Sequence, residues 1–412
     1  MTSTDAEQTT ASPSRLPAPE TGPESAWRAR LRKLSGRLRW RPDADDRAAL
    51  LVWLATRPAM YLLVGSAGWI FAAERAAQPT GFLDTWDRWD FRHFRTIAEY
   101  GYDGNPKTGP PVPLEAFFPG FPYLLKAVHL VVPNWVVAGL LISLVCSAVA
   151  VVLLSRIAGL DNQSGVGERA VLLLLLSPPA VFLAAGYTEA LFLMLALGAW
   201  LCARRGVWHW AGLLCAAACA VRVNGVFLLC ALAVEFLTAK DGRRRWRDAP
   251  WLLLGAVPGL VYMNFLYRRT GDWSAWNSAQ ATGWDRHLVG PVKAFTNTWH
   301  RAFETGPGTL LNFTWMYRWE MVAVAVGVVL TGWLLRRRRW AEATYVGLTV
   351  VSLGISTTYF SVPRATLLWW PLWIVLAQAT LRNKAVFAGY LGLIAPFSVV
   401  FALLFGAGRW AG

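Results

Sequence analysis

A dense cluster of polar and aromatic residues occupies positions 86–122, directly after the first apolar segment of membrane length. It begins W-D-R-W-D-F-R-H-F and contains three aspartates, three arginines and one histidine. Asp87 and Asp90 are three residues apart, and so are Asp90 and His93, so all three would share one face of a helix. A partly desolvated carboxylate beside an imidazole has the chemistry of a general base that removes the proton of a hydroxyl group.

The same cluster has a second interpretation as an interfacial helix. In that case the tryptophans and phenylalanines form an aromatic belt at the membrane surface. Asp87 with Arg88, and Asp90 with Arg92, are then solvated charge pairs that contribute little to stability. The residue chemistry alone leaves both interpretations open.

Charged residues also lie close to apolar segments further along the chain. Glu189 ends the tripeptide Y-T-E that starts at Tyr187, and Arg222 and Asn224 interrupt an apolar stretch. Burying such a charge in a membrane costs about 2.5–3.5 kcal/mol on insertion scales, so these groups are expected to be paired or functional. Glu189 and Arg222 pair with each other in one interpretation. In the other, Arg222 and Arg364 bind a lipid-linked phosphate through the planar guanidinium group.

A polar loop at residues 270–286 combines tryptophans with amide and carboxylate side chains, among them Gln280 and Trp284. Aromatic faces beside hydrogen-bonding groups suit a carbohydrate, because a sugar ring has an apolar face and a rim of hydroxyls. With 24 tryptophans in the chain, anchoring of the loop at the membrane interface remains the alternative.

The composition predicts an all-α polytopic membrane protein. Of the 412 residues 55% are hydrophobic and 16% are charged, whereas soluble proteins carry about 25% charged residues. About eleven apolar segments are candidate transmembrane helices. Most basic clusters lie between segments on one side, which predicts a cytoplasmic amino terminus and an external carboxyl terminus. Arg268 and Arg269 are exceptions to this pattern. The net charge of +15 therefore indicates membrane topology and not nucleic-acid binding.

The same pattern predicts the organisation of the chain. Residues 1–46 are expected to form a disordered, basic cytoplasmic tail, and residues 47–412 a transmembrane domain with external loops at about 74–133 and 268–318. Residues 116–133, which contain three prolines, are expected to be re-entrant and not to span the membrane. The five cysteines all lie in apolar segments, so neither a metal site nor a disulfide is predicted.

Several blocks in this order resemble the PIG-V family, the GPI mannosyltransferase 2 group of polytopic glycosyltransferases with GT-C architecture. The first block is R-W-D-F-R-H-F-R-T-I-A-E-Y-G-Y followed by A-F-F-P-G-F-P, and it is the most specific. The later blocks are S-P-P-A-V-F-L-A-A-G-Y-T-E-A-L-F, A-V-R-V-N-G, the loop Gly271–Arg286 and V-P-R-A-T-L-L-W-W-P-L.

The resemblance implies a GT-C-like bundle with an external catalytic loop, in which mannose passes from a polyprenyl phosphate mannose to a glycolipid or lipid-linked glycan. It implies that Asp90 is the catalytic base, with His93 beside it. The expected substrate-binding residues are Asp87, Arg88, Trp89, Tyr187, Glu189, Arg222, Asn224, Gln280, Trp284 and Arg364. No cofactor or metal is expected, since the donor lipid is a substrate. An insertion, Asp103–Leu114, departs from the family pattern and leaves the acceptor open.

The alternatives are a transferase for another polyprenyl-linked sugar and a lipid or solute transporter, whose polar groups would lie near the bilayer midplane. The Ala, Arg and Gly-rich composition suggests a bacterial plasma membrane protein with its site outside. A eukaryotic member would reside in the endoplasmic reticulum membrane.

Overall fold

The protein is seen in a computed structural model that describes residues 44–71, 81–109, 112–239, 243–304 and 311–412. The described residues form helices, turns and two isolated β-bridges, with no β-strand among them. The predicted all-α class is therefore confirmed. Most of the predicted tail, residues 1–43, lies outside the described part of the chain.

The helices follow one another with short connections, apart from two longer loops. Helices α1 to α8 are Ala44–Ile70, Asp90–Tyr100, Gly120–His129, Trp135–Asp161, Val166–Leu175, Thr188–Arg204, Trp208–Val221 and Asn224–Thr238. Helices α9 to α18 are Pro250–Leu253, Val257–Thr270, Ala275–Trp284, Pro291–Phe303, Leu311–Arg336, Trp340–Gly354, Val362–Thr366, Trp370–Arg382, Lys384–Gly389 and Ala395–Gly406. A π-helical turn, Tyr390–Ile394, joins the last two.

Five helical segments of the described chain are long and apolar enough to cross a membrane. They are Ala44–Ile70, Trp135–Asp161, Trp246–Thr270, Phe313–Arg336 and Lys384–Gly406. Two shorter apolar helices are α7 and α8. The chain is thus a polytopic membrane protein, while the number of about eleven spans stays a prediction.

Proline residues shorten two of the predicted apolar segments. Helix α5 ends at Leu175, and the chain continues as a 3₁₀ turn over Pro178–Leu183, because proline cannot donate the helical hydrogen bond. Helix α3, between Pro119 and Pro133, has 10 residues and a length of about 15 Å. It is too short to cross a hydrocarbon core of about 30 Å, in agreement with the predicted re-entrant segment.

The first long loop is fastened to helix α10. Arg269 donates to Asp103 through Nη2, at 2.6 Å from Oδ1, and to Glu115 through Nε, at 3.1 Å from Oε1. These two carboxylates lie at or just beyond the ends of the proline-rich insertion. The hydroxyl of Tyr262 lies 2.8 and 2.9 Å from the carbonyl oxygens of Glu115 and Phe117. Arg269 therefore departs from the charge pattern because it balances the acidic residues of this loop.

Candidate functional site

Helix α2 carries Asp90 at its first residue. Trp89, which precedes it, has φ 51° and ψ −129°, a conformation that L-residues rarely adopt and that often marks a functional site. This turn ends any helical continuity with Asp87. The predicted shared helical face is therefore wrong for Asp87, which lies before the helix and accepts a hydrogen bond from Arg95 at 2.5 Å. Asp90 and His93 do lie on one helix, as predicted.

The next residue, Phe91, anchors α2 in the helix bundle. Its buried ring fits between Gly139 of α4 and Gly186, the residue before Tyr187. A Cβ atom at Gly139 would lie 2.5 Å from the ring, and one at Gly186 would lie 2.8 Å from it. Only glycine permits this approach, so the two glycines fix the position of the residue that adjoins Asp90.

A chain of charged hydrogen bonds joins four separate segments at this point. Nη1 of Arg364 donates to Oδ2 of Asp90 at 2.8 Å. Nε and Nη2 of the same guanidinium donate to Oε1 of Glu189, at 3.0 and 2.6 Å. Nη1 of Arg222 donates to that oxygen at 2.6 Å and to Thr188 Oγ1 at 2.6 Å. Glu189 therefore pairs with Arg222, as one interpretation predicts, and with Arg364 as well.

This arrangement keeps buried charges compensated. Glu189 is completely buried, and the side chain of Arg364 is 8% exposed whereas that of Arg222 is 22% exposed. Such pairs are stable only when further hydrogen bonds satisfy them. Arg364 uses all three guanidinium nitrogens on carboxylates, so its main role here is to position Asp90. The described residues make no hydrogen bond to Oδ1 of Asp90, which leaves that atom available to a substrate hydroxyl.

A second buried carboxylate positions Arg364. Glu320 of α13 accepts from the backbone amides of Ser361 and Val362, at 2.8 and 2.7 Å, and so caps the short helix α15 that carries Arg364. Ser361 has φ 62°, a left-handed conformation that turns the chain into this helix. Sequence analysis did not identify Glu320, although the cost of a carboxylate in an apolar segment would have revealed it.

These segments enclose a cavity of about 720 Å³. Of the predicted site residues, those that line it are Trp89, Asp90, Tyr187, Arg222, Asn224, Gln280, Trp284 and Arg364. Glu189 lies directly behind Arg222 and Arg364. The expected convergence of the five polar segments is thus confirmed. Gln280 donates to the carbonyl oxygen of Ala116 at 3.3 Å, which joins the loop at 270–286 to the first loop.

Three predicted site residues do not line this cavity: Asp87, Arg88 and His93. Arg88 directs its Nη1 against Gly408, and its carbonyl oxygen accepts from the hydroxyl of Tyr187 at 3.0 Å. His93 packs against Phe117, with ring centroids 5.1 Å apart. Burial lowers the pKa of His93, and the neighbouring Asp90 only partly offsets this, so the imidazole is neutral at pH 7.

Sequence analysis missed other parts of the cavity wall. Arg286, immediately after the predicted Gln280 and Trp284, lines it. So do Phe360 and Trp410, whose rings are stacked with centroids 4.9 Å apart. The tripeptide that starts at Trp410 follows the last apolar helix and carries no periodic pattern that would have indicated a role. Within the described residues, no group of three or more His, Cys, Asp or Glu could hold a metal ion.

Known proteins similar to this chain are mannosyltransferases. Residues 71–239 match the family model Mannosyltransferase (PIG-V). GPI alpha-1,6-mannosyltransferase 2 of Mus musculus is 37% identical over 163 residues, which cover 36% of this chain and 31% of the relative. The Homo sapiens protein of that name is 37% identical over 182 residues, 38% of this chain and 34% of the relative. GPI mannosyltransferase 2 of Yarrowia lipolytica is 32% identical over 107 residues, 26% and 29% of the two chains.

The matches span about a third of each relative's length. They fall on the part of the chain that holds the specific first block, and the family model covers Asp90, Glu189 and Arg222. The resemblance inferred from the motifs is confirmed over this range, and residues 71–239 belong to the PIG-V mannosyltransferase family.

Proposed function

We propose that this chain is a membrane mannosyltransferase that moves mannose from a polyprenyl phosphate mannose to a glycolipid or lipid-linked glycan. The observation that carries this proposal is the carboxylate of Asp90 at the wall of a large cavity, held by Arg364. The similarity of residues 71–239 to mannosyltransferases supports it. Both the donor and the acceptor class follow from the chemistry of the site and from the relatives.

The proposed reaction is a single displacement that inverts the anomeric carbon. Asp90 removes the proton from the acceptor hydroxyl, and the acceptor oxygen forms the new bond to the sugar. The bond between sugar and phosphate oxygen breaks, and its electron pair leaves with the polyprenyl phosphate. Arg364 keeps the carboxylate of Asp90 ionised and oriented, since an adjacent guanidinium favours the charged form. Guanidinium groups in the cavity stabilise the charge that develops on the phosphate.

The aromatic part of the cavity is suited to bind the sugars. Trp89 and Trp284 line it together with the amides of Asn224 and Gln280. Aromatic faces pack against the apolar face of a sugar ring, and amides bind its hydroxyls. The exposed fraction of Trp89, 46%, leaves its ring accessible from the cavity.

The proposed location is the outer leaflet of a bacterial plasma membrane, with the cavity open to the outside. The charge pattern of the cytoplasmic loops supports this orientation. Arg269 supports it as well, because the acidic residues Asp103 and Glu115 neutralise one of the two exceptions to that pattern.

The experiment is a lipidomic comparison of a deletion strain with its parent, followed by complementation. We expect the deletion to accumulate a glycolipid or lipid-linked glycan that is one mannose shorter. Wild-type protein should restore the full product, and Asp90→Asn should not, although it is present in the membrane at the same level. Loss of a different hexose would assign another polyprenyl-linked sugar. An unchanged lipid and glycan profile would contradict the proposal.

A further inference from the structure

Arg286 presents a guanidinium group to the cavity from the end of the loop at 270–286. Asp285 has φ 52° and ψ 35°, and this left-handed residue ends helix α11 and turns the chain toward the cavity. Nη2 of Arg286 donates to the carbonyl oxygen of Phe360 at 2.9 Å, and Nη1 lies 3.4 Å from Oε1 of Gln280. Both acceptors are neutral. Nε is shielded from solvent and has no partner among the described residues.

The other two arginines of the cavity are committed to carboxylates. Arg364 uses Nε, Nη1 and Nη2 on Glu189 and Asp90. Arg222 uses Nη1 on Glu189 and Thr188. Arg286 forms no ion pair within the described part of the chain, so among the three arginines it is the one without an acidic partner there.

The acidic residue Glu320 does not fill this role. It acts on Arg286 electrostatically, but both of its carboxylate oxygens accept from the backbone amides that begin helix α15. Burial lowers the pKa of Arg286, which reports that its charged form is poorly solvated in this position. A half-buried cation with neutral acceptors and an unsatisfied Nε is unfavourable until an anion binds it.

The shape of the cavity indicates which anion fits. A guanidinium with a free Nε edge matches the oxygen atoms of a phosphate group. Around Arg286 the wall is aromatic and apolar, with Phe313, Phe360 and Trp410. Leu288, two residues further along the chain, also lines the cavity and is 78% exposed. A phosphate that carries a long apolar chain satisfies both the cation and this wall.

We propose that Arg286 binds the phosphate of the lipid-linked sugar donor, with Arg222 as a second contact, while Arg364 positions Asp90. This inference rests on the proposed function and assigns the phosphate to a residue outside the family match. When the bond between sugar and phosphate breaks, its electron pair leaves on the phosphate oxygen beside Arg286. The proton of the acceptor hydroxyl moves to Asp90, so atoms and charge balance.

The test measures lipid binding by the purified, detergent-solubilised full chain in the absence of transfer. The probes are undecaprenyl phosphate, undecaprenol and phosphatidylglycerol, and quenching of tryptophan fluorescence reports binding. For Arg286→Ala we expect undecaprenyl phosphate to bind about tenfold more weakly or worse, as for the loss of hydrogen bonds to a charged group. Arg286→Lys should fall between the two, since it keeps the charge and loses the planar edge. Undecaprenol should bind all variants equally.

Arg268→Ala is the matched control, because Arg268 is exposed at the end of helix α10 and does not line the cavity. It should bind undecaprenyl phosphate as the wild type does. Unchanged affinity in Arg286→Ala, or an equal loss for undecaprenol, would overturn the assignment. Competition by phosphatidylglycerol as strong as that by undecaprenyl phosphate would also overturn it, in favour of a general lipid headgroup site. Because no transfer is measured, these results stand apart from a failure of the mannosyltransferase proposal.

Discussion

The glycine at position 139 offers a sharp test of how the helix bundle positions Asp90. In Gly139→Ala the new Cβ would lie 2.5 Å from the ring of Phe91 and 3.4 Å from Cα of Gly186. Carbon atoms pack at about 3.5–4.0 Å, so the ring must move by about 1 Å. We expect a loss of stability of about 1–3 kcal/mol from overpacking. A shift of that size next to the catalytic base should lower kcat/KM about a hundredfold.

The matched control is Gly159→Ala in the same helix α4, where the added Cβ meets no atom within 4 Å. It should leave activity unchanged and stabilise the helix by up to about 1 kcal/mol, because alanine is the better helix former. A smaller side chain in the double variant Gly139→Ala with Phe91→Leu should recover part of the loss. Stability is measured by denaturation in mixed micelles, and activity by mannose transfer. Wild-type activity and stability in Gly139→Ala would refute the reasoning.

Three further predictions concern charge, pH and topology. In a double-mutant cycle, Glu189→Ala and Arg364→Ala should each cost about 3–5 kcal/mol with a coupling energy of about 2–3 kcal/mol, and additive losses would contradict the pairing. Because burial lowers the pKa of His93 from 6.5, the native state binds fewer protons than the unfolded state. Stability should therefore fall as pH drops below about 6.5, and the melting curve of His93→Gln should show a shallower fall; an identical pH slope would count against a buried neutral imidazole. In a background without native cysteines, Ser278→Cys should react with an impermeant thiol reagent on intact cells and Asn383→Cys should not, whereas the reverse pattern would invert the proposed orientation.

The sequence predicted the helical class and the grouping of the polar segments because both depend on strong local signals. Apolar runs and basic clusters indicate helices and sides of a membrane. Charged residues such as Glu189 and Arg222 are too costly to bury singly, so their pairing was foreseeable. That Arg364 joins the same carboxylate was not, because the contact links residues 175 positions apart. No local pattern records which of several arginines takes which partner.

The start of helix α2 shows a different limit of sequence analysis. The spacing of Asp87, Asp90 and His93 fits one helical face, but the turn at Trp89 ends the helix between the first two. A tryptophan with positive φ is unfavourable on its own, and only the surrounding packing imposes it. The packing of Phe91 between two glycines is equally tertiary in origin. For the same reason His93 lies against Phe117 and not in the cavity wall, although its spacing from Asp90 is that of a neighbour on the helix.

The most direct test of the central claim is mannose transfer by purified protein in liposomes that contain polyprenyl phosphate mannose and the glycolipid that accumulates in the deletion strain. The account predicts transfer by the wild type, and a loss of at least about a hundredfold in Asp90→Asn. Asp84→Asn, outside the cavity wall, should keep normal turnover. Near-normal turnover by Asp90→Asn, with donor consumed and product formed, would contradict the assignment of Asp90 as the base.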